Sequence, residues 1–229
     1  MSSKITIAID GFSSTGKSTL AKQLANKLGY VYVDTGAMYR AITFYAMQNG
    51  FVADGFLNKE ALIKSLPTIQ LKFQFKSELG FAVMLLNNVD VEKEIRKIEV
   101  SSFVSKIAEL AEVRQKLVEQ QQEMGKDKGI VMDGRDIGTV VFPDAALKIY
   151  MTASASTRAQ RRYDELTAKG DAVTYDEVYN NVVERDYIDT HRENSPLVKA
   201  TDAIEIDNSN MTREEQLTLV LDLVQKANS

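Results

Sequence analysis

The sequence predicts an α/β fold: a mostly parallel sheet with helices on both faces. Three observations carry this. Short apolar runs alternate with segments of helical period along most of the chain. The first apolar run opens into a glycine-bearing turn and then a helix. And 229 residues, 44% of them hydrophobic and 26% charged, suffice to bury a core without disulfide staples.

Lys4 to Asp10 (KITIAID) reads as a buried strand. Lys17 to Leu28 follows as a helix, with Leu20, Leu24 and Leu28 on one face. Tyr30 to Asp34 is a second strand and Ala37 to Gln48 a second helix. Thr68 to Phe75 and Gly80 to Leu86 are then separated only by Lys76 to Leu79, and Val89 to Val91 follows the turn signal Asn87-Asn88. These three runs predict an antiparallel meander inserted between helices. Ile95 to Glu123 has helical period and is rich in Glu, Lys and Gln. Ile130 to Asp133, Ala146 to Met151 and Ala203 to Asp207 complete the strands. Helices are expected at about Thr157 to Lys169, Tyr175 to Thr190 and Arg213 to Lys226. No internal repeat or low-complexity stretch interrupts them.

Composition removes several classes of chemistry. With no cysteine there is no thiolate nucleophile, no cysteine zinc site and no disulfide framework, which fits a reducing, cytoplasmic compartment. The single histidine, His191, excludes histidine-cluster metal sites and leaves little room for a Ser-His-Asp triad. A net charge of −4 argues against a nucleic-acid partner. The longest apolar run, Phe81 to Leu86, is far short of a membrane span. Ile5 to Ile9 is too short for a signal-peptide core.

Gly11, Phe12, Ser13, Ser14, Thr15, Gly16, Lys17 and Ser18 satisfy G-x-x-x-x-G-K-[ST], and the strand before and helix after supply the context that the motif needs. Backbone N–H groups of such a loop form a nest for phosphate, and the helix N-terminus adds positive potential. Lys17 supplies a cation for the β and γ phosphates of ATP or GTP, and Ser18 a hydroxyl for Mg²⁺. Asp133, ending the apolar run Ile130-Val131-Met132, is the expected second acid at the metal, with Asp207 as its rival.

Arginines stand where anion recognition wants them. Arg40 and Arg135 follow the carboxyl ends of strands, where ligands of open α/β sheets sit. Arg158, Arg161 and Arg162 share one helical face, and Arg185, Asp189 and Arg192 another.

The motifs together resemble the bacterial-type cytidylate kinases, within the nucleoside monophosphate kinases. The resemblance rests on D-G-F-S-S-T-G-K-S-T at 10–19, D-T-G-A-M-Y-R at 34–40, D-G-R-D-I-G-T-V-V-F-P-D at 133–144, E-R-D-Y-I-D-T-H-R at 184–192 and P-L-V-K-A-T-D-A at 196–203. It implies a P-loop kinase fold in a single domain. The core spans about 1–35, 98–152 and 195–229. A lobe carrying the β insert spans about 36–97, and a mobile lid about 153–194, with Gly170-Asp171 at its tip. It implies ATP-dependent phosphorylation of CMP and dCMP with Mg²⁺. No exposed apolar stripe in the sequence argues for an obligate dimer, so a monomer is expected. ATP would lie on Gly11 to Thr19. The acceptor phosphate would meet Arg40, Arg135 and Arg192, with Tyr39 beside the acceptor and Thr35 and Gly134 also on the CMP side. Ribose would meet Arg185 and Asp189, and cytosine Ser105, Arg114 and Asp136. Arg158, Arg161 and Arg162 would close over ATP.

The base assignment makes chemical sense, because a carboxylate accepts from the cytosine amine while an arginine donates to N3 and O2. Two features depart from the family or from simple helix geometry. Phe12 and Ser14 stand where members more often carry Pro and Gly. Ser105 and Arg114 are nine positions apart, nearly opposite on one ideal helix, so contact of both with the base requires a break that no Pro or Gly supplies. A nucleotide phosphate is already ionised near pH 7, so no general base is needed and His191 is expected to be an ordinary surface or hinge residue. The alternatives are a small P-loop kinase acting on UMP or on a metabolite hydroxyl, with Asp34 as base, and a nucleotide switch. The switch lacks a guanine-reading N-K-x-D motif.

Overall fold

A computed structural model describes residues 4–53, 55–78 and 81–228. Leu79 and Gly80, within and bounding the sequence-predicted meander, lie outside the described residues. The chain divides into two compact units, Met1–Asp34 with Gln121–Ser229, and Thr35–Gln120.

In chain order the elements are β1 (Thr6–Gly11), α1 (Lys17–Leu28), β2 (Val31–Asp34) and α2 (Thr35–Gln48). The short strands β3 (Val52–Ala53) and β4 (Phe56–Leu57) come next, then α3 (Lys59–Ser65). β5 (Leu71–Lys76), β6 (Phe81–Leu86) and β7 (Val89–Asp90) precede α4 (Ile98–Ala108) and α5 (Ala111–Met124). β8 (Ile130–Gly134), a π-helical turn at Ile137–Val141, β9 (Leu147–Thr152), α6 (Ala155–Ala168), α7 (Tyr175–His191), β10 (Ile204–Asp207) and α8 (Arg213–Ala227) follow.

The first unit is built on a five-stranded parallel sheet in the order β10-β9-β1-β8-β2. β1 is central, and Ile7, Ala8 and Ile9 are fully buried, which is why its sequence is an unbroken apolar run and not an alternating one. Ile7 and Ile9 pack with Leu20, Leu24, Val220 and Val224, so α1 and α8 share one face of the sheet. Burying a side chain such as Leu24 completely contributes about 1.5–3 kcal/mol. α1 stops at Gly29, whose left-handed φ of 65° lets its N–H bond back to Asn26 and Ala25 carbonyls. Side-chain caps start the later helices. Ser154 caps α6, two positions earlier than its apolar period suggests, and Thr174–Glu177 and Thr212–Glu215 form capping boxes on α7 and α8.

In the second unit β5, β6 and β7 form the expected antiparallel meander, with Leu71 opposite Leu86 and Lys76 opposite Phe81. Asn87 and Asn88 both take positive φ, 49° and 67°, as the tight hairpin turn demands. α3 and the β3–β4 hairpin were not expected from the sequence; both are too short to show a period. The segment Ile95 to Glu123 is not one helix. Glu94–Arg96 is a 3₁₀ turn, and the α-helix breaks between Ala108 and Ala111 with neither Pro nor Gly. Instead, the Arg114 guanidinium donates to the Ala108 carbonyl at 3.1 Å, giving the end of α4 a partner that the backbone no longer supplies.

Among the described residues, no helix is long and apolar enough to cross a membrane. The expectation that no apolar stripe is exposed is not met on α7. There Tyr179, Val183 and Tyr187, at helical spacing, are 37%, 43% and 65% exposed.

Candidate phosphate-transfer site

The loop between β1 and α1 is shaped by glycine where only glycine fits. Gly11 has φ +148°, and a Cβ there would lie 2.1 Å from the Met151 carbonyl oxygen of β9. Gly16, at φ 86°, starts α1 without a side-chain cap, leaving the helix N-terminus to a ligand. The loop is held from several sides. Thr15 Oγ1 and Lys17 Nζ both donate to the Phe12 carbonyl, at 3.0 and 2.9 Å. Buried Asn208, after β10, donates through Nδ2 to the Thr15 carbonyl at 2.7 Å and to Gln216 Oε1 at 2.8 Å. Ser14 adopts φ 58°, while Thr19 is exposed in the first turn of α1.

Lys17 is buried. Its pKa is drawn down to about 7, by loss of water first and by Arg135 second, with Asp133 opposing. A desolvated cation at the mouth of an N–H nest is stabilised by an arriving phosphate anion.

Asp133, the penultimate residue of β8, lies beside β2 and accepts from Ser18 Oγ at 2.8 Å and from Tyr32 Oη at 2.9 Å. Burial, then Asp34 opposite it in the ladder, raises its pKa. Hydroxyl and carboxylate oxygens in this pairing are the hard donors that Mg²⁺ takes. Asp207 is exposed and accepts instead from Ser209 N–H and Oγ, at 2.9 and 2.6 Å. Among the described residues no group of three or more His, Cys, Asp or Glu is gathered for a metal.

Two residues past Asp133, Arg135 donates through Nε to Asp189 Oδ2 at 2.7 Å. Burial works to raise the Asp189 pKa, yet Arg135 and Arg185 outweigh it and hold the carboxyl below its ordinary range. Arg192 lies 3.9 Å from Asp189 and donates twice to the Ser195 carbonyl, at 2.9 and 2.7 Å. The structure thus gathers Arg135, Arg185, Asp189 and Arg192 within the first unit. It does not bring the three arginines of α6 to one point. Arg158 reaches Asp186 of α7 and the phosphate loop, Arg161 donates to Asn208 Oδ1 and O at 3.0 and 2.8 Å, and Arg162 pairs with Glu165 at 3.0 Å. His191 is exposed and stacks on Tyr187 at 4.2 Å.

In the second unit Thr35 opens α2, and Tyr39 and Arg40 follow in its next turn. Arg114 lies over the Tyr39 ring at 5.5 Å, and Ser105 and Arg114 are both buried.

Sequence reasoning passed over four residues that shape the site: Tyr32, Asn208, Asp186 and Asp10. Asp10 had a signal, being a carboxylate set between a fully apolar strand and the loop. It accepts from the Ile137 and Gly138 N–H groups at 2.8 and 2.7 Å, capping the π-helical turn that follows Arg135-Asp136. Burial pushes its carboxyl up to about 7, against those two hydrogen bonds. An acid whose pKa rises on folding adds stability that is complete below its ordinary value and is lost as pH climbs through the folded one. The melting temperature of the wild type is therefore expected to fall relative to Asp10→Asn between about pH 4 and pH 7. A difference independent of pH across that window would contradict it.

The family model described as cytidylate kinase matches residues 7–226. A protein of Flavobacterium johnsoniae named cytidylate kinase is 73% identical over 221 residues, 96% of each chain. One of Phocaeicola vulgatus with the same name is 59% identical over 213 residues, 93% of each chain. Among solved structures, an uncharacterized protein from Eubacterium ventriosum aligns with a TM-score of 0.51 at 10% identity, over 98% of this chain and 99% of that one, a likeness of fold alone.

Proposed function

The chain belongs to the cytidylate kinase family, and from that premise we propose how its residues divide the work of the reaction. The reaction is ATP-dependent phosphorylation of CMP and dCMP to the diphosphates. ATP lies with its phosphates on the nest from Gly11 to Thr19. Lys17 neutralises the moving phosphoryl group, and Arg158 adds positive charge from α6. Ser18 and Asp133 hold Mg²⁺, which when bound offsets charge on the phosphate oxygens. Arg135 and Arg192, with Arg40 of the second unit, orient the acceptor phosphate. Arg185 and Asp189 take the ribose. Asp136 accepts from the cytosine amine; Arg114 and Ser105 meet the remaining base edge, with Tyr39 beside it. The acceptor oxygen is already ionised, so catalysis is positioning and charge neutralisation, and no side chain need remove a proton. The absence of cysteine supports a cytoplasmic setting.

The observation that supports this reading most is the end of β8. There Asp133 meets Ser18 of the phosphate loop, and Arg135, two residues on, meets Asp189. One strand end thereby serves donor and acceptor chemistry.

ADP release from Mg-ATP tests the reading, measured with CMP, dCMP, UMP, AMP, GMP, shikimate and no acceptor. CMP and dCMP are expected to turn over fast. UMP presents an acceptor where cytosine presents a donor, so each mispaired buried contact costs about 1–3 kcal/mol and UMP is expected to trail by roughly tenfold or more. Equal rates with UMP would remove Asp136, Arg114 and Ser105 from base recognition.

A further inference from the structure

Phe12 stands in the phosphate loop, and the geometry around it is specific. Its carbonyl accepts from Lys17 Nζ at 2.9 Å and from Thr15 Oγ1 at 3.0 Å. Its ring faces the Arg158 guanidinium, whose central carbon lies 5.0 Å from the ring centroid. The ring is steadied by an edge contact with Tyr150 of β9, at 6.2 Å and 75° between planes.

Arg158 is 4% exposed. It donates through Nε to the Ala153 carbonyl at 2.9 Å, through Nη1 and Nη2 to Asp186 at 2.9 and 2.5 Å, and through Nη1 to the Ser13 carbonyl at 3.4 Å. Those bonds fix the guanidinium with its central carbon over the Phe12 ring. A desolvated guanidinium on an aromatic face is held more firmly than on an aliphatic one. One residue of the loop therefore meets two of the cations assigned to the reaction, Lys17 through its backbone and Arg158 through its ring.

We propose that Phe12 is a positioning residue that sets Arg158 against the phosphate loop, so that the charge on α6 is in place when the phosphoryl group moves. The proposal rests on the assignment of Arg158 to charge neutralisation, and the two are separable. Phe12→Leu removes the π face but keeps the backbone carbonyl and the apolar bulk. It is expected to lower kcat about tenfold, with KM for CMP unchanged. Phe12→Tyr, which keeps the face, is expected to retain wild-type kcat. In an Arg158→Ala background Phe12→Leu should cost nothing further, because the partner that it positions is gone.

Steady-state kinetics on these four proteins, each checked by thermal melting, decide the matter. Wild-type kcat in Phe12→Leu with reduced kcat in Arg158→Ala overturns the role of Phe12 and leaves that of Arg158 standing. Wild-type kcat in Arg158→Ala overturns both. Equal losses from Phe12→Leu with and without Arg158, or a loss in Phe12→Tyr matching that in Phe12→Leu, would mean that the ring acts through loop packing and not through Arg158. If Phe12→Leu does not melt cooperatively, Phe12→Met, also without a ring, takes its place with the same expected outcomes.

Discussion

Lys17→Met is expected to lower kcat by roughly a thousandfold while the unliganded protein melts no lower than wild type. The loss of rate follows from the role proposed for Lys17, a buried cation that neutralises the transferred phosphoryl group. The preserved stability follows from electrostatics. Burial, then Arg135, draws the Lys17 pKa from its ordinary 10.5 to about 7, so folding works against the charged form. A base depressed in this way contributes stability above its ordinary pKa and forfeits it as pH falls through about 7. Methionine fills the same channel without a charge, and the Phe12 carbonyl keeps Thr15 Oγ1 as a donor. The melting advantage of the variant should therefore be larger near about pH 6 than near about pH 9. Full activity, or a melting temperature well below wild type at both values, would contradict the placement of Lys17.

Arg135→Ala is expected to damage stability and acceptor use together, and a second substitution separates the two. Removing the guanidinium leaves Asp189 buried beside Arg185 and Arg192, with its 2.7 Å partner gone. Breaking one side of a buried pair costs about 3–5 kcal/mol, and the remaining arginines keep the loss toward the lower figure. Arg135→Lys, which keeps a cation beside Asp189 but not the planar fork of donors, is expected to recover much of the melting temperature. Acceptor use should not return: kcat/KM for CMP is expected to stay roughly a hundredfold down or more, with KM for ATP changed little. An Arg135→Ala variant that melts like wild type would refute the buried pair. An unchanged KM for CMP would remove Arg135 from the acceptor phosphate.

Much of the donor side was legible because its signals are local. The helix Lys17–Leu28 was bounded to the residue, since glycines at 16 and 29 punctuate a run whose period is plain. The meander was readable from alternation and from Asn87-Asn88, whose positive φ values are a property of those two residues themselves. Where local signals thin out, the elements depend on side-chain contacts instead. The break between α4 and α5 carries no Pro or Gly, and it depends on the Arg114 side chain reaching back to Ala108. The start of α6 depends on a serine cap and not on apolar period.

The fold class, the phosphate loop with its flanking strand and helix, and the segments that mark the family follow from the amino-acid order alone. Each is written in residues close along the chain, where periodicity and turn preference act. Which polar groups meet is set by the folded chain. Tyr32 reaches Asp133 across 101 positions, Asp10 reaches Ile137 across 127, and Asn208 reaches Thr15 across 193. It likewise chose Asp133 over Asp207 as the acid beside Ser18 and parted the three arginines that share a face of α6. A single buried hydrogen bond or ion pair leaves no period in the sequence; it forms when the parallel sheet brings distant strand ends together and excludes water from them.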